Sequence, residues 1–268
     1  MRITETEKEE PKKPTPGTED EVTTSNTTRQ PGEAIGDGED YIGTLGAPVR
    51  ESAGDDWHFF TCEHIGDGFS EGDTLYTGGS SFSSEIGEVI DESCSDDMAV
   101  AEPEDGWEPS RAIAGEGGTE VSGAGQFTLD GLADLEENDE EVKKFGTSSG
   151  ITSGEVETHD GTYWVNEFSC PRRTNQLRWG DEDVGEGGDS GSPVYKTSPN
   201  NDDWFWVAAS FHAIREDHIG GGDFAHGTSA WTITEDHGWQ FYSPELVNRL
   251  GVNPRSARPA QPVEQFLC

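Results

Sequence analysis

Three short stretches carry side chains that could do chemistry together. The first is Gly185-Glu186-Gly187-Gly188-Asp189-Ser190-Gly191-Ser192-Pro193-Val194. Glycines on both sides of Ser190 let the backbone bend sharply, because no Cβ stands in the way. Such a turn presents one hydroxyl and aims backbone N–H groups into the same small space, as a serine nucleophile and its oxyanion require. A serine nucleophile also needs a base, and the base needs a group to orient it. Phe59-Phe60-Thr61-Cys62-Glu63-His64 places a histidine just after a buried strand, and Asp97-Met98-Ala99-Val100 places a carboxylate just before one. His58 and Asp96 are the neighbouring alternatives. Asp181-Glu182-Asp183 has the acids of a calcium loop, but glycines fill its later ligand positions.

The Gly-Asp-Ser-Gly-Ser-Pro core resembles the active-site serine motif of chymotrypsin-like (trypsin-fold) serine proteases. Its Ser-Gly-Ser-Pro ending is closer to the bacterial glutamyl-endopeptidase branch. Thr61-Cys62-Glu63-His64 resembles the Thr-Ala-Ala-His segment of that family, and Asp97-Met98-Ala99-Val100 its Asp-x-Ala-Leu/Val segment. Lys144 to Val156 is similar to the Gly-Arg-Thr-Thr-Gly-x-Thr-x-Gly-x-Val strand of bacterial members. The order His, Asp, Ser, with gaps of about 33 and 93 residues, is the chymotrypsin order. The resemblance spans about residues 40–250. It implies an all-β fold of two six-stranded antiparallel barrels with a C-terminal helix, and a serine endopeptidase acting on protein or peptide substrates without cofactor or metal. Ser190 would be the nucleophile, His64 the base and Asp97 its orienter, with the N–H groups of Gly188 and Ser190 forming the oxyanion hole. The alternative is a catalytically inactive binding or structural module on the same fold.

Two departures from the family stand out. The arginine that neutralises the aspartate before the nucleophile is replaced, at its apparent position, by Thr147. Arg172, Arg173 or Arg178 then become the candidate partners of Asp189. Glu63 sets an extra carboxylate beside His64, which would raise the imidazole pKa. For substrate selection, the resemblance puts Val184 at the base of the S1 pocket. Ser210-Phe211-His212 and Gly227, with His226 beside it, form the walls. An imidazole donor from His212 would favour an acidic P1 side chain, and a pocket plugged by His212 would accept only small apolar ones.

The rest of the chain must position these residues. Residues 1–38 hold few large apolar side chains and are expected to be a disordered arm. Barrel 1 is expected over about 39–125 and barrel 2 over about 140–242. An acidic insert at 130–141 reads as one or two helical turns, and a strand is expected at Ser229 to Ile233. A helix at 243–251 is capped by Ser243, with Pro244 at its first position, and a flexible tail runs over 253–268. Of four cysteines, Cys62 and Cys94 could pair; buried free thiols are the alternative, and Cys170 and Cys268 remain unassigned. The sequence shows no apolar run of membrane-spanning length and no signal-peptide pattern, which favours a cytoplasmic or virion-associated location over a secreted one.

The charge balance is extreme: 55 acidic against 17 basic residues, formally −38. Such a surface repels nucleic acid and anionic membranes. The acids are spread over nearly every loop while 8 Trp, 12 Phe and 5 Tyr remain for a core, a pattern that fits a folded protein adapted to molar salt better than disorder or a mimic of DNA. At 0.01 M salt the Debye length is about 30 Å, so surface carboxylates repel one another across much of the molecule. The melting temperature is therefore expected to rise from dilute buffer to molar KCl; an unchanged melting temperature would count against salt adaptation.

Overall fold

The computed structural model describes residues 27–39, 41–52, 54–77, 84–114, 120–164, 170, 172–198, 201–217 and 222–241. Alternating apolar and polar residues in short runs between glycine and acidic turns give two barrel-like sheets. The first has six antiparallel strands in the order Gly43–Thr44, Ala34–Gly36, Thr74–Thr77, Ser84–Ser93, Met98–Pro103, Phe59–Thr61. Its two edges meet where Gly46 N–H donates to the Phe60 carbonyl at 2.8 Å and the Thr61 hydroxyl to the Thr44 carbonyl at 2.9 Å. Ile35, Phe59, Leu75, Ile86, Val89 and Ala101 fill its interior.

The second sheet has eight strands. Six of them, Asn201–Asp217, Pro193–Ser198, Glu141–Gly146, Gly150–Trp164, Arg172–Trp179 and Gly222–Ser229, close into a ring because Gly222–Ser229 pairs with both Arg172–Trp179 and Asn201–Asp217. Leu132, Leu135, Val142, Leu177, Trp179 and Phe211 pack its interior. Ala112–Ala114 and Glu120–Gln126 lie outside the ring, joined through a parallel pairing to Asn201–Asp217. This stretch, expected within barrel 1, thus belongs to the second sheet. A third cluster, with Phe60, Met98 and Val100 from one barrel and Tyr195, Phe205 and Val207 from the other, glues the two together.

Several expectations change. Order begins by Thr27, not near residue 39: Thr27–Arg29 pairs in parallel with Trp107–Pro109, the Arg29 guanidinium stacks 4.6 Å from the Trp107 ring, and Ile35 is buried. Residues 1–26, the 243–251 helix and the tail lie outside the described residues. The acidic insert forms a helix, Leu129–Glu137, capped by the Thr128 side chain and buried through Leu132 and Leu135. Ser229 to Ile233 is not a strand. Ser229 caps the helix Ala230–His237 by accepting from Thr232 N–H, and Gly238, at φ +78°, ends it. Among the described residues no helix is long and apolar enough to cross a membrane.

The disulfide joins Cys94 to Cys170, not to Cys62, which is a buried free thiol. It closes a loop of 76 residues. Such crosslinks typically contribute about 2–4 kcal/mol, with loop-closure entropy setting the upper end for a loop this long. The double variant Cys94→Ser/Cys170→Ser is expected to lose that much in urea unfolding; a loss under about 0.5 kcal/mol would show that the bridge constrains little.

Candidate active site

Asp189 anchors the Ser190 turn. Its carboxylate is buried and accepts from Lys144 Nζ at 2.6 Å, Ser149 Oγ at 2.6 Å, and the N–H groups of Ser148, Ser149 and Glu186 at 2.9, 3.2 and 3.0 Å. The counter-charge is therefore Lys144, and none of Arg172, Arg173 or Arg178. Thr147 stands aside, its N–H donating to Thr44 Oγ1 at 3.1 Å. Burial works to raise the Asp189 pKa, but the hydrogen bonds and charge from Lys144 and Ser149 outweigh it and hold it below the ordinary aspartate value. Burial in turn lowers the Lys144 pKa, against the pull of Asp189.

The turn is wedged against the first barrel. Gly191, at φ +92°, has no room for a side chain: a Cβ there would lie 2.3 Å from both the Thr44 carbonyl and Thr61 Oγ1. Thr44 N–H donates to the Ser190 carbonyl at 2.7 Å, and Gly191 N–H to the Phe211 carbonyl at 2.8 Å.

The first barrel brings His64 and Asp97 to the same place. His64 Nδ1 lies 2.6 Å from Asp97 Oδ2, His64 N–H donates to Asp97 Oδ1 at 3.0 Å, and His64 Nε2 lies 2.9 Å from Ser190 Oγ. The contact of Asp97 Oδ2 with the ring favours the tautomer with the proton on Nδ1, which leaves Nε2 free to accept. The serine hydroxyl has one proton for two acceptors, His64 Nε2 and the His212 carbonyl at 3.1 Å. Asp97 occupies the left-handed region at φ +49°, a conformation that an aspartate in a tight turn tolerates. Buried Met98 and Val100 hold the strand that follows it.

No family model and no curated protein matches the sequence. Solved structures do resemble it. Thermobifida fusca Protease A superposes with a TM-score of 0.58 at 17% identity, covering 81% of this chain and 100% of that one. A glutamic acid specific serine protease, described as using a histidine triad in substrate binding, gives 0.56 at 18% identity, over 80% and 100%. Cellulomonas bogoriensis chymotrypsin gives 0.55 at 15% identity, over 80% and 98%. The fold is the chymotrypsin-like double β-barrel.

Within this double barrel, two carbonyls of the turn are tied down. Ser148 Oγ donates to the Gly187 carbonyl at 2.8 Å, and Ser192 N–H to the Asp189 carbonyl at 2.9 Å. In a planar trans peptide the N–H points opposite to the C=O. The Gly188 and Ser190 N–H groups are thereby turned away from Ser148 and Ser192.

The remaining sequence-derived residues fall differently. Val184 is buried in the second barrel's core, as is Phe211, whose ring is 5.9 Å from that of Trp179. Ser210 Oγ lies 3.8 Å from Cys62 Sγ, and Gly227 packs on the Ser210 backbone. The His212 ring is buried, with its Nε2 3.4 Å from Asp97 Oδ2 and 3.2 Å from Thr228 Oγ1, and accepting from Thr228 N–H at 3.3 Å. The strand register shifts between Phe211 and Ala213, and that bulge turns His212 toward the junction of the barrels.

Besides Lys144, a second residue of the site, Arg173, lies outside its expected role. Arg173 Nη1 lies 2.7 Å from Asp97 Oδ2, with both side chains buried. Burial, and next the Arg173 charge, lower the His64 pKa to about 4 against the opposing influence of Glu63. Glu63 does pull the imidazole pKa upward as expected, but burial and the Arg173 charge outweigh it, and burial raises the pKa of Glu63 itself. Cys62, His64 and Asp97 offer ligand atoms within 4.8 Å of one another. That donor set suits a metal poorly, because burial pushes the Cys62 thiol up to about 12 and a guanidinium already occupies Asp97.

Replacing Lys144 by Met would leave Asp189 buried without a counter-charge, at a cost of about 3–5 kcal/mol. The depressed Asp189 pKa contributes stability above the ordinary aspartate value that is lost as pH falls through the folded value. The gap between wild type and Lys144→Met is thus expected to be widest near neutrality and to narrow in acid. Urea titrations at both pH values check this, and a pH-independent gap would contradict it.

Proposed function

We propose that this chain is a serine endopeptidase acting on protein or peptide substrates, adapted to high salt. The observation that carries the reading is the unbroken relay from Ser190 Oγ to His64 Nε2 at 2.9 Å and from His64 Nδ1 to Asp97 Oδ2 at 2.6 Å. In this reading Ser190 attacks the peptide carbonyl while His64 takes its proton. The tetrahedral oxyanion is met by the N–H groups of Gly188 and Ser190. His64 then returns the proton to the leaving amine, and water, activated by the same imidazole, releases the acyl group from Ser190. Asp97 holds the imidazole with its proton on Nδ1 and stabilises the transient imidazolium. The Ser148 and Ser192 tethers support the oxyanion site by fixing the two peptides before substrate arrives, so no reorganisation is needed as charge develops. An inactive module on the same fold drew its main support from the missing arginine at Thr147, and Lys144 supplies that charge.

The test is covalent labelling by a fluorophosphonate in molar salt, followed by peptide hydrolysis. Wild type is expected to label at Ser190. Ser190→Ala should abolish labelling and lower turnover by about six orders of magnitude. Asp97→Asn should keep the fold and lose about 10⁴ in turnover, because the imidazole then favours the wrong tautomer. Full-rate labelling of Ser190→Ala would sink the assignment.

A further inference from the structure

Two cysteines mark the segments that carry Asp97 and Arg173. Cys94 lies three residues before Asp97, and Cys170 three residues before Arg173. Their disulfide, with Cα atoms 5.7 Å apart, ties together the turn and the strand that deliver the buried ion pair. Arg173 is the second residue of the strand Arg172–Trp179. The Asp97 carboxylate is thus approached on Oδ1 by His64 N–H and on Oδ2 by His64 Nδ1, Arg173 Nη1 and His212 Nε2.

A carboxylate beside an imidazole ordinarily makes the ring a stronger base. A guanidinium on the same carboxylate oxygen cancels part of that pull, and its own field repels a second positive charge nearby. We propose that Arg173 is a positioning residue for the triad: locked in place by the Cys94–Cys170 bridge, it fixes the Asp97 carboxylate and opposes a charged ring at His64. This rests on the endopeptidase reading. Every element around His64 bears on its charge. Glu63 and Cys62 face it from its own segment, Asp97 from the turn, Arg173 from the second barrel, and His212 from the strand Asn201–Asp217, with His226 behind His212. Of these, Asp97 and Glu63 favour the imidazolium, and Arg173 is the permanent cation against it. His212, itself held well below the ordinary histidine value by burial and then by Arg173, adds no positive charge near neutrality.

Removing the Arg173 charge makes the imidazolium easier to form, so the neutral base would be lost at higher pH. The experiment compares wild type, Arg173→Lys and Arg173→Gln by NMR titration of the His64 ring and by the pH dependence of kcat/KM. Wild type and Arg173→Lys are expected to agree within a few tenths of a unit. In Arg173→Gln, the ring midpoint and the acid limb of kcat/KM should both move up by about one to three units. An unmoved midpoint in Arg173→Gln, or an equal shift in Arg173→Lys, would overturn the proposal. Should Arg173→Gln fail to fold, Cys94→Ser/Cys170→Ser, which keeps the cation but frees its segment, takes its place. Its midpoint should also rise, and an unmoved one overturns the proposal. The ring titration needs no turnover. Absence of Ser190 labelling would remove the endopeptidase reading, while the His64 midpoint would still report whether Arg173 acts on that ring.

Discussion

A negative charge buried without water is tolerated only where a cation and enough donors meet it, and Asp189 is such a charge. Lys144, the Ser149 hydroxyl and three backbone N–H groups converge on it. Because Asp189 is adjacent to Ser190, satisfying that carboxylate also fixes the serine. The Lys144 strand, the Ser148–Ser149 turn and the nucleophile turn become one rigid piece, and Gly191 then seats that piece against Thr44 and Thr61 of the first barrel. The interaction is worth more as geometry than as net stability, since the desolvation of both charges offsets much of their attraction.

The chain has 17 basic residues against 55 acidic ones, and among the described residues Lys144 and Arg173 lie wholly inside. Lys144 meets Asp189, and Arg173 meets Asp97. In a molecule whose surface potential is strongly negative, a buried aspartate would otherwise be pushed toward its neutral form. Each of the two internal cations meets a buried carboxylate, and Lys144 helps to hold Asp189 below the ordinary aspartate value.

The Ser190, His64 and Asp97 stretches stood out because each combines a reactive side chain with a local turn or strand signal, and the double barrel was implied by the family that these motifs and their order resemble. Lys144 was legible in principle. In Glu141–Gly146 the residues facing inward alternate, Val142, Lys144, Gly146, and a lysine on the inward face of a strand calls for an acid. Arg173 was harder, since the matching Cys-x-x-Asp and Cys-x-x-Arg spacings mean nothing until Cys94 and Cys170 are known to be joined. His212 could not be placed at all by counting along the strand. One bulge between Phe211 and Ala213 changes which way every later side chain points. Ser229 illustrates the opposite failure: its run of Ala, Trp, Thr and Ile has strand-like composition, and only the capping bond to Thr232 reveals a helix.

Gly191 has one more consequence. Its contacts with Thr44 and Thr61 cross from one barrel to the other, and the serine–histidine contact they permit joins residues 126 apart in sequence. On the far side, Ser190 and Gly191 are held by carbonyls of His212 and Phe211, on a strand closed into the ring by Gly222–Ser229. During synthesis, nearly the whole chain must therefore emerge before the relay can exist. A half-made or half-docked molecule carries Ser190, His64 and Asp97 but not their arrangement, so the relay belongs to the last stages of assembly.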